Sequence, residues 1–205
     1  MMSLQDILET IREEIDTDDR IREKALKLTR EAVRKCSESI KMTHRGEMDK
    51  GSKLLSDAHG LVIEAAEEIA ESDFLTKSRI MNTAYQELSE AANLLSVLQS
   101  GSFIPPEKYG IPSRPYLTGL ADVIGELRRT TLDLLRENKA EKGESILRLM
   151  EGILDDLQSF DYPNALVPEL RRKCDVGRSI IERTRGDVTR AVGNERLIKE
   201  LRERE

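Results

Sequence analysis

Tryptophan is absent from this chain of 205 residues, and only 3% of it is aromatic. Sheets pack with aromatic and β-branched side chains, so a β-sandwich or barrel is disfavoured. Cysteine is scarce too: Cys36 and Cys174 stand alone, without C-x-x-C spacing. They read as small buried hydrophobes in a reducing compartment, with no disulfide. No run of about 20 uncharged apolar residues occurs, and no charged-then-apolar leader, so neither a membrane span nor a secretion signal is expected. A cytoplasmic location is the expectation. Proline is concentrated: four of the six lie between Gly101 and Pro115. That stretch cannot be helical throughout.

What remains is Leu, Ile, Ala, Glu, Lys and Arg, a composition of helices. Ser3 can cap a short first helix over Leu4–Ile15, and Asp16-Thr-Asp-Asp19 should interrupt it. From there Ile21, Ala25, Leu28, Ala32, Cys36 and Ile40 recur at steps of three or four, which predicts a long helix to about His44. Further helices are expected over Asp49–Glu71, Leu75–Gln99, Pro115–Asn138, Glu144–Ser159 and Ala165–Val192, with a terminal turn or helix from Asn194. The fold class is therefore all-α: one domain over residues 1–205, an antiparallel bundle of six to seven helices with a proline-rich loop at 101–115.

Charge is unevenly spread. Arg20 to Arg45 holds nine Lys/Arg against three Glu, a local +6, so the rest of a chain at −6 carries −12. Arg20, Lys27, Arg34 and Lys41 are each seven apart, and with Lys24, Arg30 and Arg45 they form one stripe opposite the apolar face. Solvated charged faces are common. An ordinary one, however, interleaves Glu with Lys for support at i,i+4, and this one mostly does not. A row of cations fits a phosphate backbone. Few aromatics are available for stacking on bases, so phosphate contacts would dominate.

Two segments place acids where a helix should be apolar. Glu87 and Glu90 are three apart; Asp122 and Glu126 are four apart. From Ile111 to Leu127 only Arg114, Asp122 and Glu126 carry charge. On helices each spacing puts its pair on one face, about 5–6 Å apart at Cβ. Burying such groups costs several kcal/mol unless a cation or donor compensates them. Two facing pairs would make a hard-oxygen cage for Mg²⁺ or Mn²⁺. Glu pairs at i,i+3 are also frequent on plain solvated helices, so Glu87/Glu90 alone says little. Gly119 and Gly125 interrupt the acidic helix, which points to close packing or a close ligand. His44 and His59 have no second His at metal spacing, so a zinc site is not supported. A glycine-rich phosphate loop, a Cys–His nucleophile and a Ser triad are all absent.

At these residues the chain resembles the translin–TRAX family. Tyr116–Leu127 is similar to the TRAX helix Tyr-Leu-x-Gly-x-Ala-Asp-x-x-Gly-Glu-Leu. Arg79 followed by Gln86-Glu87-x-x-Glu90-Ala91 is similar to a second TRAX helix. Leu28-Thr-Arg-Glu-Ala, Thr43-His-Arg and Asp19-Arg-Ile-Arg-Glu-Lys resemble the family's long basic helix. In translin, the RNA-binding non-catalytic partner, an apolar residue replaces the Asp; TRAX keeps the acids and cleaves RNA with a divalent metal. The resemblance thus implies the nuclease branch, in a compact prokaryotic or archaeal-type form. The long insertion after Gln99 and the basic nuclear-targeting extension of eukaryotic TRAX are missing.

The resemblance further implies that Glu87, Glu90, Asp122 and Glu126 are catalytic and hold Mg²⁺ or Mn²⁺. RNA contacts are expected from Arg20, Arg22, Lys27, Arg30, Arg34, Lys41, His44, Arg45 and Arg79. The implied partners are single-stranded RNA or short duplexes, with single-stranded DNA as a further candidate, and copies of the chain itself in a homo-octamer. The competing expectation is a non-catalytic nucleic-acid-binding oligomer whose acids only pair with Arg128, Arg129 or Arg79. A helical scaffold for protein partners is the third.

Overall fold

A computed structural model describes residues 2–203, and seven α-helices carry the chain with no strand among them. Helix α1 spans Leu4–His44, α2 Met48–Ala70, α3 Asp73–Thr76, α4 Asn82–Ser100, α5 Ser113–Arg136, α6 Ala140–Gln158 and α7 Leu170–Arg202. Ser3 caps α1 through a reciprocal pair: its Oγ accepts from the Asp6 amide at 3.2 Å, and the Asp6 carboxylate accepts from the Ser3 amide at 2.9 Å.

The expected break at Asp16–Asp19 does not occur. Thr17 Oγ donates back to the Glu13 carbonyl at 2.8 Å, and Arg20 Nε donates to the Asp16 carbonyl at 3.2 Å. These side chains bond along the helix instead of competing with it. The result is one 41-residue rod, about 60 Å long at 1.5 Å per residue. Its first buried residue is Ile21, so the first four turns project beyond the body.

Other boundaries move as well, α6 beginning at Ala140 and not Glu144. The helix expected from Leu75 is split, because Ser78 Oγ donates to the Leu75 carbonyl at 2.6 Å and accepts from the Ile80 amide. Serine thus ends α3 after one turn and leaves Arg79 in the bend before α4. Helix α7 begins at Leu170 and not Ala165, since Pro168 cannot sit inside a helix. It then runs through Gly193-Asn194 without stopping. There the Glu195 carboxylate accepts from the Ala140 amide at 3.0 Å, tying α7 to the start of α6. The proline-rich loop holds one 3₁₀ turn over Pro106–Tyr109, and Pro115 falls in the first turn of α5, where its missing N–H is harmless.

One continuous cluster of buried residues reaches from Ile21 to Val188. Helix α1 packs along α2 and α4, while α5 lies against α4, α6 and α7. Val123, Ile124 and Leu127 of α5 are fully buried. Both cysteines are free and buried, as small hydrophobes. Among the described residues, no helix is long and apolar enough to cross a membrane.

Candidate functional site

Close approach of α4 and α5 creates the site. A Cβ on Gly119 would lie 2.5 Å from the Gln86 carbonyl oxygen and 2.6 Å from Ser89 Cβ, so only glycine allows this spacing. Ser89 Oγ seals the contact by donating to the Tyr116 carbonyl at 3.1 Å. Beside this contact, Glu87 and Glu90 of α4 come near enough to Asp122 and Glu126 of α5 for their charges to couple. All four are half-buried. Helix α7 completes the wall, with Gly177 close against Ile124. Gly125 meets nothing, so the expected close approach holds at Gly119 alone of the two helix glycines.

The two pairs differ in their partners. Lys173, in the first turn of α7, donates to both oxygens of Asp122 at 2.6 Å, and Gln86 Nε2 donates to Oδ2 at 2.9 Å. Glu126 accepts from His44 Nε2 at 2.6 Å, and that imidazole is only 4% exposed. The His44 hydrogen bond holds the Glu126 carboxyl below the usual range, against the cost of burial. Glu87 and Glu90 have no such help. Burial pushes both up, and the other acids add to it; for Glu90 the result is about 8. Beneath them lies Cys36, whose thiol is pushed up to about 12, first by burial and then by Glu87 and Glu90. It is chemically inert.

Among the described residues, no three His, Cys, Asp or Glu groups already stand in a ligating arrangement. Lys173 and His44 occupy the oxygens of Asp122 and Glu126. The donor chemistry nonetheless suits a hard dication: the four carboxylates lie near enough for their charges to raise one another, and that repulsion is what a bound cation would relieve.

Residues 2–184 match the Translin family. The chain belongs to the translin family. Among its relatives is an uncharacterized protein of Methanocaldococcus jannaschii, 32% identical over 187 residues, covering 90% of this chain and 82% of that one. Two solved structures of AfC3PO superpose with a TM-score of 0.79, at 34% identity for one and 32% for its complex with duplex RNA; each covers 91% of this chain and 97% of the other. The fold also matches apo-NeC3PO, at 20% identity and a TM-score of 0.76, over 93% of this chain and 98% of that one.

For this translin-family chain, the other predicted residues separate cleanly. Arg20, Arg22, Lys27, Arg30, Arg34, Lys41, Arg45 and Arg79 are all exposed. Some are partly engaged: Arg22 pairs with Asp19 and Glu23, and Arg34 reaches Glu31 at 3.5 Å. Lys24 of the stripe and Lys35 beside it are tied to Glu68 and Asp57 of α2. His44 is corrected. It is buried against Glu126 and belongs to the acidic site, not to the exposed stripe. Of the arginines named as alternative partners of the acids, Arg128 is corrected, since it instead binds Asp187 at 3.0 Å and Thr184 at 2.8 Å, whereas Arg129 adds a favourable charge near Glu126. Lys173 was missed entirely. Its only sequence signal is a cation at the start of an otherwise plain helix, in the run Arg171-Arg172-Lys173.

Proposed function

We propose that this chain is a metal-dependent endoribonuclease of the TRAX-like branch, acting as a homo-oligomer. The observation that carries the reading is the convergence of four acids from two helices, two of them without a cation partner. A structural role does not require Glu87 and Glu90 to sit where burial and repulsion oppose their charge. Glu87, Glu90, Asp122 and Glu126 would hold Mg²⁺ or Mn²⁺, which would activate water and neutralise charge at the scissile phosphate. His44 keeps Glu126 ionised and oriented. Lys173 neutralises Asp122 and keeps it turned toward α7. Glu90 holds a proton near neutral pH that a cation would displace.

The stripe on α1 supplies sequence-independent attraction for RNA, and its Lys41 lies one turn before His44. That AfC3PO has been solved with duplex RNA supports RNA as the substrate class. Assembly has support in the apolar residues left exposed: Leu4, Ile7, Leu8, Ile11 and Ile15 on the projecting part of α1, and Leu197, Ile198 and Leu201 at the end of α7. An octamer is the form the family resemblance implies. Light scattering should give a mass several times 23.3 kDa.

The alternative reading, a non-catalytic RNA-binding oligomer, is favoured by one observation: Lys173 and His44 already compensate two of the acids. Labelled single-stranded and duplex RNA, incubated with Mg²⁺ or with EDTA, separates the two. Cleavage that needs the metal and is lost in Asp122→Asn supports the nuclease. Binding without cleavage under any metal condition rejects it.

A further inference from the structure

A second polar feature adjoins the acidic site. Between the first turns of α4 and α5 lies a cleft of about 340 Å³, lined by Arg79, Asn82, Thr83, Gln86, Arg114 and Glu169, among others. Its single acid is already engaged, since Glu169 pairs with Arg172 at 2.9 Å. The two guanidiniums are not: neither Arg79 nor Arg114 pairs with a carboxylate among the described residues. Arg114 is held in place by its Nε, which donates to the Leu166 carbonyl at 2.9 Å, leaving both terminal nitrogens available. A guanidinium fixed at Nε is a preset fork for a phosphate group.

The backbone adds to this. Asn82 and Thr83 open the 19-residue α4, while Arg114 and Pro115 stand in the first turn of the 24-residue α5. Neither helix has a side-chain cap; the Asn82 amide is bonded to the Arg79 carbonyl at 3.1 Å and Pro115 has no N–H, so it is the positive end of each helix dipole that favours an anion here. Gln86 lines the cleft and also donates to Asp122 at 2.9 Å. One side chain therefore separates the cleft from the acids.

We infer that this cleft is a phosphate subsite for a nucleic-acid strand, holding a phosphodiester group that neighbours the one presented to Asp122 and Glu126. Its size suits one nucleotide. Its place in the reaction rests on the nuclease reading; its affinity for phosphate does not. The α1 stripe gives attraction along a face, whereas this cleft fixes where along the strand the acids meet it.

The test uses the full chain and a fluorescently labelled RNA octanucleotide, titrated in EDTA at several salt concentrations. Arg114→Gln removes the fork. Thr83→Glu places a carboxylate at an exposed position on the cleft wall and leaves Arg114 anchored. Each should weaken binding about tenfold and lower the salt slope by about 0.7, the contribution of one phosphate contact on a single strand. Melting temperatures near that of the unmodified protein verify the fold. If the parent protein cleaves RNA, Thr83→Glu should raise KM while kcat at saturation stays near the parent value. Unchanged affinity and slope in both variants overturn the subsite, even where cleavage persists. Weakened binding by both variants of a protein that never cleaves supports the subsite and rejects the nuclease.

Discussion

The acids of α4 and the acids of α5 face one another, yet they are held by opposite physics. Asp122 and Glu126 each meet a partner, Lys173 and His44, delivered by helices far away in the chain. Glu87 and Glu90 have no hydrogen-bonded cation; burial first and then the charges of the neighbouring acids oppose their ionisation, and Lys173 offsets this only in part. The α5 pair is thus at rest without a metal, while the α4 pair stores repulsion that protons relieve. The difference teaches that carboxylates in one cluster need not share one role. Half of this site is compensated by the fold and half is left for a ligand or protons to satisfy.

The sharpest test compares Asp122→Asn with Glu90→Gln. If the proposed nuclease reading holds, both should lower RNA cleavage by more than the roughly 100-fold typical of an outer-shell partner. Their stabilities should diverge. Asp122→Asn abandons Lys173 and should lose about 2 kcal/mol in EDTA, whereas Glu90→Gln removes repulsion and should melt at or above the parent temperature. Equal melting temperatures for the two would erase the distinction between the pairs.

Next in size is the contact that aligns the pairs. Gly119→Ala forces a methyl group into the Gln86 carbonyl and Ser89, and should destabilise by about 1–3 kcal/mol while separating the acids. Gly125→Ala is the control: it meets nothing, and should be neutral or stabilising by up to about 1 kcal/mol. Chemical denaturation of both variants checks this. Equal effects of the two changes would mean that the close approach at Gly119 does not set it apart from Gly125.

Lys173→Met asks whether the ammonium competes with a dication. In EDTA the variant should melt lower, because Asp122 is left half-buried and unpaired. Adding Mg²⁺ should then raise its melting temperature by more than it raises that of the parent. An identical Mg²⁺ gain in both would show that Lys173 does not guard the site.

The smallest effect per pH unit is the titration of the two pairs, measured in EDTA. Glu90 has a raised folded value of about 8, so it binds a proton in the fold where the unfolded chain has lost it. Its contribution is fully present below the unfolded carboxylate range, declines as pH rises, and is gone above about 8. Glu126 is lowered and works in reverse, contributing above its unfolded value and losing that contribution as pH falls through the lowered folded value. One group changes stability by at most about 1.4 kcal/mol per pH unit. Glu90→Gln should flatten the loss of stability between about pH 5 and 8, and His44→Asn should flatten the acid side. A Glu90→Gln profile that superposes on the parent curve would place Glu90 outside the coupled cluster of acids.

Periodicity along the chain determined the all-α class, the apolar face of α1 from Ile21 to Ile40 and the two acid pairs, because the 3.6-residue repeat decides locally which residues share a face. The same logic placed the basic stripe in solvent. Helix ends were less legible: at Asp16–Asp19 the side chains can either cap a new helix or bond along an existing one, and local sequence permits both. Which cations reach the acids lay beyond it altogether. Lys173 is 51 residues from Asp122, and His44 is 82 from Glu126. Those pairings follow from the register at which helices dock, set by contacts such as Gly119 against Gln86 and Gly177 against Ile124. Packing between helices is a property of two surfaces at once, so only the tertiary structure decided which half of the acidic site is compensated.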